Sequence, residues 1–121
     1  MRSWKVVCTL LCVLVLLGLA AAGGNDQGIR DVYHVKFVAP VRVGNTLLPA
    51  GDYTVRHTME GQDHIMVFQQ GSKGAEVKAK CTLVPLAQKA DKDTTIYLVN
   101  AANERVLQEL IFRGDSAKHV F

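Results

Sequence analysis

Apolar and polar residues alternate with a period of two along most of the chain after residue 30, and this pattern constrains the fold most. In "DVYHVKFV", Tyr33, Val35 and Phe37 share one face. In "AEVKAKCTLV", small or apolar residues again alternate with charged and polar ones. Antiparallel strands with one face on a core and one in water have this period. Seven or eight short segments of this kind, separated by turn residues, predict an all-β fold, either a small antiparallel sandwich or a barrel.

The first 22 residues have the layout of a secretory signal peptide. Arg2 and Lys5 are followed by an apolar run, and Ala20 and Ala22 form a small-residue exit. The run is shorter than the ~20 residues that a membrane-spanning helix needs. We therefore predict a signal-peptide helix that is cleaved after Ala22, and an exported protein that is periplasmic or extracellular. Only an uncleaved signal segment would contact a membrane.

The rest of the chain is long enough for one domain. We predict a flexible, glycine-rich lead-in over residues 23–30 and a single β domain over residues 31–121. Removal of the signal peptide leaves 12 basic against 11 acidic residues, without the basic stripe of a nucleic-acid binder. Cys81 is then the remaining cysteine, so the domain forms no internal disulfide, and its alternation predicts a buried, inert thiol.

The segment "LPAGDYTV" is a predicted corner between two strands. Pro49 suits the second position of a type I turn, and Gly51 can adopt the positive φ of a bulge after it. Asp52 can accept hydrogen bonds from nearby backbone N–H groups. These three residues are therefore predicted to have a structural role in the turn.

The segment "DYTVRHTMEGQDHIMVFQQ" predicts a hairpin. With Glu60 and Gly61 as a two-residue loop, His57 lies opposite His64, and residues 53 and 55 lie opposite 68 and 66. That register gives one apolar face, as a buried sheet face requires. The two imidazoles could then hold copper or zinc, although two histidines fall short of a full ligand set. Half-exposed hairpin histidines without a metal are the alternative.

The segment "RVLQELIFR" fits two structures. Its apolar residues lie at helix spacing, and Asn103 could cap a helix. The short distance from the strand-like "IYLVN" favours a hairpin instead. Residues 104–113 are therefore a strand or a helix, with the strand favoured.

The corner phrase resembles that of small exported bacterial β-rich proteins of uncharacterised function, which carry F-x-V-G-x-x-x-L-P-A-G-x-Y-x-V after a signal peptide. It is also similar to a phrase in prealbumin-like β-sandwich modules of bacterial surface proteins. The resemblance implies a β fold and supplies no catalytic residues. The matching residues are Val43, Gly44, Leu48, Pro49, Ala50, Gly51, Tyr53 and Val55.

The sequence predicts a non-enzymatic protein without a cofactor. Its two serines after residue 22 lie in predicted turns, and its carboxylates are scattered among loops. The expected role is a structural or protein-interaction module whose sheet edges accept a partner strand. The alternative is a small module that binds a glycan, a lipid or a metal. The triplet "RGD" at residues 113–115 is interpreted as an ordinary turn.

Overall fold

The computed structural model describes residues 28–121 and gives them an all-β fold, which confirms the predicted fold class. These residues form nine strands, one more than the upper number expected. The strands are β1 Val32–Phe37, β2 Val41–Val43, β3 Thr46–Leu48, β4 Gly51–Glu60, β5 Asp63–Gln70, β6 Glu76–Pro85, β7 Thr94–Val99, β8 Arg105–Ile111 and β9 Ala117–Val120.

The predicted signal peptide, with its exit residues Ala20 and Ala22, lies outside the described residues. Among residues 28–121, no helix has the length and apolar character needed to cross a membrane. Residues 28–30, the end of the predicted lead-in, are hydrogen-bonded to the domain: the backbone N–H of Ser116 donates to the Gly28 carbonyl at 2.9 Å.

The nine strands form one sheet in the order β1-β4-β5-β6-β9-β8-β2-β3, with β7 on the other side of β8. The sheet is not closed into a barrel, and within residues 28–121 β1, β3 and β7 have a free edge. Neighbouring strands are antiparallel except β2 and β8, which run parallel. The sheet is therefore antiparallel apart from that one pair.

The sheet folds back on itself around one core. Tyr33 of β1 stacks on Phe112, just after β8, with ring centroids 3.8 Å apart, although the two strands are far apart in the strand order. The buried cluster takes side chains from seven of the nine strands. We call β1, β4, β5 and the start of β6 the first half of the sheet, and the end of β6 with β9, β8 and β7 the second half.

Strand β6 connects the two halves. Its residues from Glu76 to Cys81 pair with β5, whereas Thr82 to Pro85 pair with β9. The ten-residue alternation in its sequence is long enough to serve both neighbours. This continuity places β9, the last strand, opposite β4 across the core.

The β4–β5 hairpin keeps the predicted faces but not the predicted register. The loop is Gly61 and Gln62, so that Met59 pairs with His64 and His57 with Met66. Gly61 has a φ of +64° at the first loop position, where a type II′ turn has its glycine. The sequence had predicted a Glu60-Gly61 loop, with the glycine in second position. The predicted pairing register of the hairpin was therefore wrong by two residues. A shift of two leaves every side chain on its face.

Residues 105–111 form strand β8, so the strand interpretation of this segment is confirmed. Ile96 pairs with Glu109 and Tyr97 with Leu107, which leaves Gln108 as an extra residue in a β-bulge. The bulge lets Leu107 and Leu110, three residues apart, both reach the core. This irregularity explains the helix-like spacing of the sequence.

Candidate functional site

The two predicted site histidines meet inside the first half of the sheet. His57 of β4 and His64 of β5 are diagonal neighbours, and His57 Nε2 lies 3.0 Å from His64 Nδ1. Both side chains are half-buried. Burial, and secondarily the nearby His64, lower the pKa of His57. The structure therefore brings the predicted pair together as a hydrogen-bonded pair, in a register other than the one predicted.

A third histidine, His119 of β9, completes the cluster and was missed by the sequence analysis. Its side chain is fully buried, and neither ring nitrogen has a hydrogen-bond partner within residues 28–121. The rings of Tyr33, Phe112 and His57 surround it at centroid distances of 5.5, 5.7 and 5.8 Å. The alternation of "AKHVF" could have indicated an inward His119, because Ala117 and Phe121 flank it with period two.

Burial is the main reason why the pKa of His119 falls to about 4, and the charges of His57 and His64 act in the same direction. The backbone of Leu110 opposite partly offsets this lowering without meeting hydrogen-bond geometry. His119 is therefore neutral at neutral pH. The cluster combines one hydrogen-bonded imidazole pair with one imidazole in an apolar, aromatic surrounding.

The cluster is short of ligands for a metal ion. Among the described residues, no three His, Cys, Asp or Glu side chains are arranged to hold one. The 3.0 Å between His57 Nε2 and His64 Nδ1 is also the distance of a direct N–H···N hydrogen bond, which needs no metal between the two rings. The metal site at His57 and His64 stays a prediction, and the geometry adds no third ligand to it.

A second group of buried polar side chains lies beside Arg30, near the start of the described chain. The Tyr33 hydroxyl donates to Asp115 Oδ2 at 2.6 Å and accepts from the backbone N–H of Arg30 at 2.8 Å. The Arg30 guanidinium lies 3.6 Å from Asp115 Oδ1. Burial raises the pKa of Asp115, while Tyr33 and Arg30 act against that rise. The aspartate of the "RGD" triplet is therefore a buried anchor, consistent with the turn interpretation.

Of the predicted corner residues, Pro49 lies between β3 and β4, and Gly51 and Asp52 begin β4. Gly51 has a φ of +147°, and a side chain there would meet the amide of Gln70. Asp52 is exposed and pairs with Lys36 across the ladder. The hydrogen bond that fastens the corner comes instead from the Tyr53 hydroxyl to the Pro49 carbonyl, at 2.6 Å. The corner is a structural feature without a reactive group.

Cys81 is buried on the core face of β6. Burial raises its pKa to about 11, so the thiolate is scarce at neutral pH. A buried, protonated thiol is a poor nucleophile. The interpretation of Cys81 as an inert core residue is consistent with this environment.

The three free sheet edges differ in how they are protected. The β1 edge contains Lys36, and a lysine on an edge strand discourages pairing with another chain. The β3 edge has only three residues, which is another form of protection. The sequence of β7, "TTIYLV", has six residues without charge, proline or glycine. The β7 edge is therefore the least protected one in the described chain.

The outer faces of the two halves also differ. In the first half, Ile65 and Val67 of β5 are covered by side chains of the neighbouring strands, which form two ion pairs above them. These pairs are Arg56 with Glu76 at 2.6 Å and Lys78 with Glu60 at 2.8 Å. This half therefore presents charge to solvent.

In the second half, the register puts apolar side chains on the outer face. Ile96 and Leu98 of β7 lie there with Val106 and Ile111 of β8, and the Lys118–Glu109 pair adds one charged spot. Leu98 is 58% exposed and Ile96 is 38% exposed. We call this surface, residues 96, 98, 106 and 111 with the β7 edge, the β7 surface.

Three of the surface grooves among residues 28–121 are open to solvent, and none of these three has the character of an enclosed ligand site. The two larger ones, of about 370 and 360 Å³, lie along the loop of residues 86–92 and between β1 and β4. The third, of about 150 Å³, separates the start of β7 from β1. The clustered histidines and the Tyr33–Asp115 pair line none of these three grooves.

Compared with known proteins, the chain matches no family model, no curated protein and no solved structure. The β7 surface and the histidine cluster are therefore interpreted from their own chemistry.

Proposed function

We propose that this chain is an exported, non-enzymatic β domain that binds a protein partner through the β7 surface. The observation that carries the proposal is the combination of an unprotected edge strand with exposed apolar side chains on the same strand. An added strand gains main-chain hydrogen bonds at such an edge, and apolar side chains beside it supply contact area. The charged outer face of the first half offers neither feature.

The non-enzymatic part rests on where the buried titratable groups lie, since His34, Lys36 and Asp52, which line a groove, are exposed on the surface. The histidine cluster and the Tyr33–Asp115 pair are packed among aromatic rings, away from the three grooves. Acid–base or nucleophilic catalysis needs such groups within reach of a bound substrate. Their position favours structural roles. The alternative of a glycan-, lipid- or metal-binding module gains no support from the open grooves or from the two-histidine pair.

Site-specific photo-crosslinking in cells that express the full chain tests the partner. A photoreactive residue replaces Leu98, which is 58% exposed, or Val38, which is 77% exposed and lies between β1 and β2. We expect a discrete protein adduct from position 98 and none from position 38. Equal adducts from both positions, or none from either, would argue against a protein partner at the β7 surface.

Export is tested on the same cells. N-terminal sequencing of the recovered protein should begin at Gly23, because Ala20 and Ala22 form the predicted exit. An intact N-terminus in the cytoplasmic fraction would contradict the exported part of the proposal and leave the partner test unaffected.

A further inference from the structure

We infer that β9 is a releasable strand: residues 117–121 leave the sheet and return to it while the rest of the domain stays folded. Their departure uncovers the edges of β6 and β8 that β9 occupies in the closed sheet. β9 is not an edge strand, because it lies between β6 and β8 in the strand order. A strand in such a position is expected to open only with the whole domain unless something in it favours release. This inference is independent of the β7 surface.

The side chain of His119 favours release. It is fully buried, and within residues 28–121 its two ring nitrogens are the buried side-chain atoms without a hydrogen-bond partner. A buried polar group without a partner keeps the full cost of its desolvation. Water can bind both nitrogens once β9 has left the sheet, so release removes this cost. No other strand among residues 28–121 has such a side chain.

The contacts that hold β9 in place are modest. The strand has four residues, and it pairs with the end of β6 and with Glu109 and Leu110 of β8. On its outer face, Lys118 forms an ion pair with Glu109 at 2.8 Å, but both side chains are partly exposed to solvent, which weakens the attraction. Phe121 packs against Phe68 with ring centroids 6.0 Å apart and is only half-buried. The β4–β5 hairpin opposite is held by much longer paired strands.

The turn before β9 sets the point at which the opening stops. The Ala90 N–H donates to the Asp115 carbonyl at 3.0 Å, and the Ser116 N–H donates to the Gly28 carbonyl at 2.9 Å. The Asp115 carboxylate also accepts the hydrogen bond from the buried tyrosine of β1. These bonds join the turn to segments other than β6 and β8, so they persist when β9 leaves. The released part therefore begins at Ala117.

Release of β9 uncovers one edge of each neighbouring strand. Residues 82–85 of β6 lose their partner, and so do Glu109 and Leu110 of β8. The two edges are one strand apart, and edges with unpaired N–H and C=O groups accept an extended segment. In the closed sheet, β9 fills this slot with the chain's own residues. It is therefore a cover over a strand-binding slot, and the buried histidine makes the cover easier to open.

Native-state hydrogen exchange of the full chain at neutral pH, over a series of low urea concentrations, tests this inference. A local opening exposes little surface, so its exchange depends weakly on urea, whereas exchange through global unfolding depends on it strongly. We expect the amides of residues 117–121, and those of β6 and β8 that bond to them, to exchange through a local opening. The paired amides of β4 and β5 should exchange through global unfolding.

His119→Phe should make this local opening rarer, because a ring remains in place and the two unpartnered nitrogens are removed. We expect the local exchange of residues 117–121 to slow by roughly tenfold or more. His119→Leu is a second variant for the case that the phenylalanine ring is too large for the site, and it should slow the same exchange. His34→Gln, at an exposed histidine of β1, is the matched control and should leave the exchange of β9 unchanged.

Three results would overturn the inference. If residues 117–121 exchange with the urea dependence of β4 and β5, β9 opens only with the whole domain. If rapid exchange is confined to residues 120 and 121 while their partners in β6 stay protected, the strand merely frays. If local exchange is as fast in both His119 variants as in the wild type, the unpartnered imidazole does not favour release. None of these results changes the outcome of the crosslinking test at position 98, which examines the proposed function separately.

Discussion

Replacing His119 with phenylalanine should remove a large part of the pH dependence of stability. The imidazole is fully buried, and both ring nitrogens lack a hydrogen-bond partner among the described residues. Phenylalanine is close in shape, and the rings of Tyr33 and Phe112 already form an apolar surrounding for it. The substitution therefore removes a titrating group while keeping a ring in its place.

The magnitude follows from the difference between the folded and unfolded pKa. An unfolded histidine titrates near 6.5, whereas burial lowers the pKa of folded His119 to about 4. Between pH 4 and pH 6.5, the histidine of the unfolded chain binds a proton that His119 of the folded chain does not bind. The free energy of unfolding therefore falls as the pH drops from 6.5 to 4, by about 3 kcal/mol in total, and this group adds no further loss below pH 4. The lowered pKa of His57 contributes with the same sign.

Urea denaturation at a series of pH values between 7.5 and 4.5 measures this effect. The wild type should lose about 2–3 kcal/mol more than His119→Phe over that range. At pH 7.5 the variant should be at least as stable, because two unsatisfied polar atoms have been removed from the core. His34→Gln, which removes an exposed histidine of β1, is the matched control and should follow the wild type.

Parallel pH profiles for the wild type and His119→Phe would refute this reasoning. They would mean that His119 gains a proton as readily in the folded protein as in the unfolded chain. His119→Leu is a second variant for the case that the larger phenylalanine ring destabilises the core. Its pH profile of stability should also be flatter than that of the wild type. A steep profile in both variants would place the titrating group elsewhere.

Three further predictions concern the core and the turn between β5 and β6. Tyr33→Phe should lower the free energy of unfolding, measured in urea, by about 1–3 kcal/mol, because the buried Asp115 carboxylate loses its donor. Tyr53→Phe removes one hydrogen bond at the corner and should lower it by about 1 kcal/mol. Gly74→Ala should lower the thermal midpoint more than Gly71→Ser, because a Cβ at 74 would collide with the Gln70 backbone, whereas one at 71 meets open space and costs only the strain of its φ of +68°; equal shifts would contradict this. Cys81 should react with a thiol reagent only as fast as local or global unfolding exposes it. A rapid reaction in the absence of denaturant would disprove its burial.

The sequence by itself determined the secondary structure and the inward face of most strands. Period-two alternation placed Tyr33, Val35 and Phe37 on one face, and all three are buried. This succeeds because alternation reflects burial directly, whichever strand lies alongside. The hairpin register could not be found in this way, because a shift of two residues keeps every face. The β8 bulge was not predicted for a related reason, since its extra residue breaks the period-two alternation.

The candidate site was only half visible in the sequence. His57 and His64 lie on one hairpin, so local pairing was enough to bring them together. His119 and Asp115 come from the end of the chain, and reach His57 and Tyr33 only because the sheet folds back over its core. The strand character of "TTIYLV" was likewise predictable, but its position at an edge was not. Which strand has a free edge depends on the order of all nine, and only the tertiary structure decides that order.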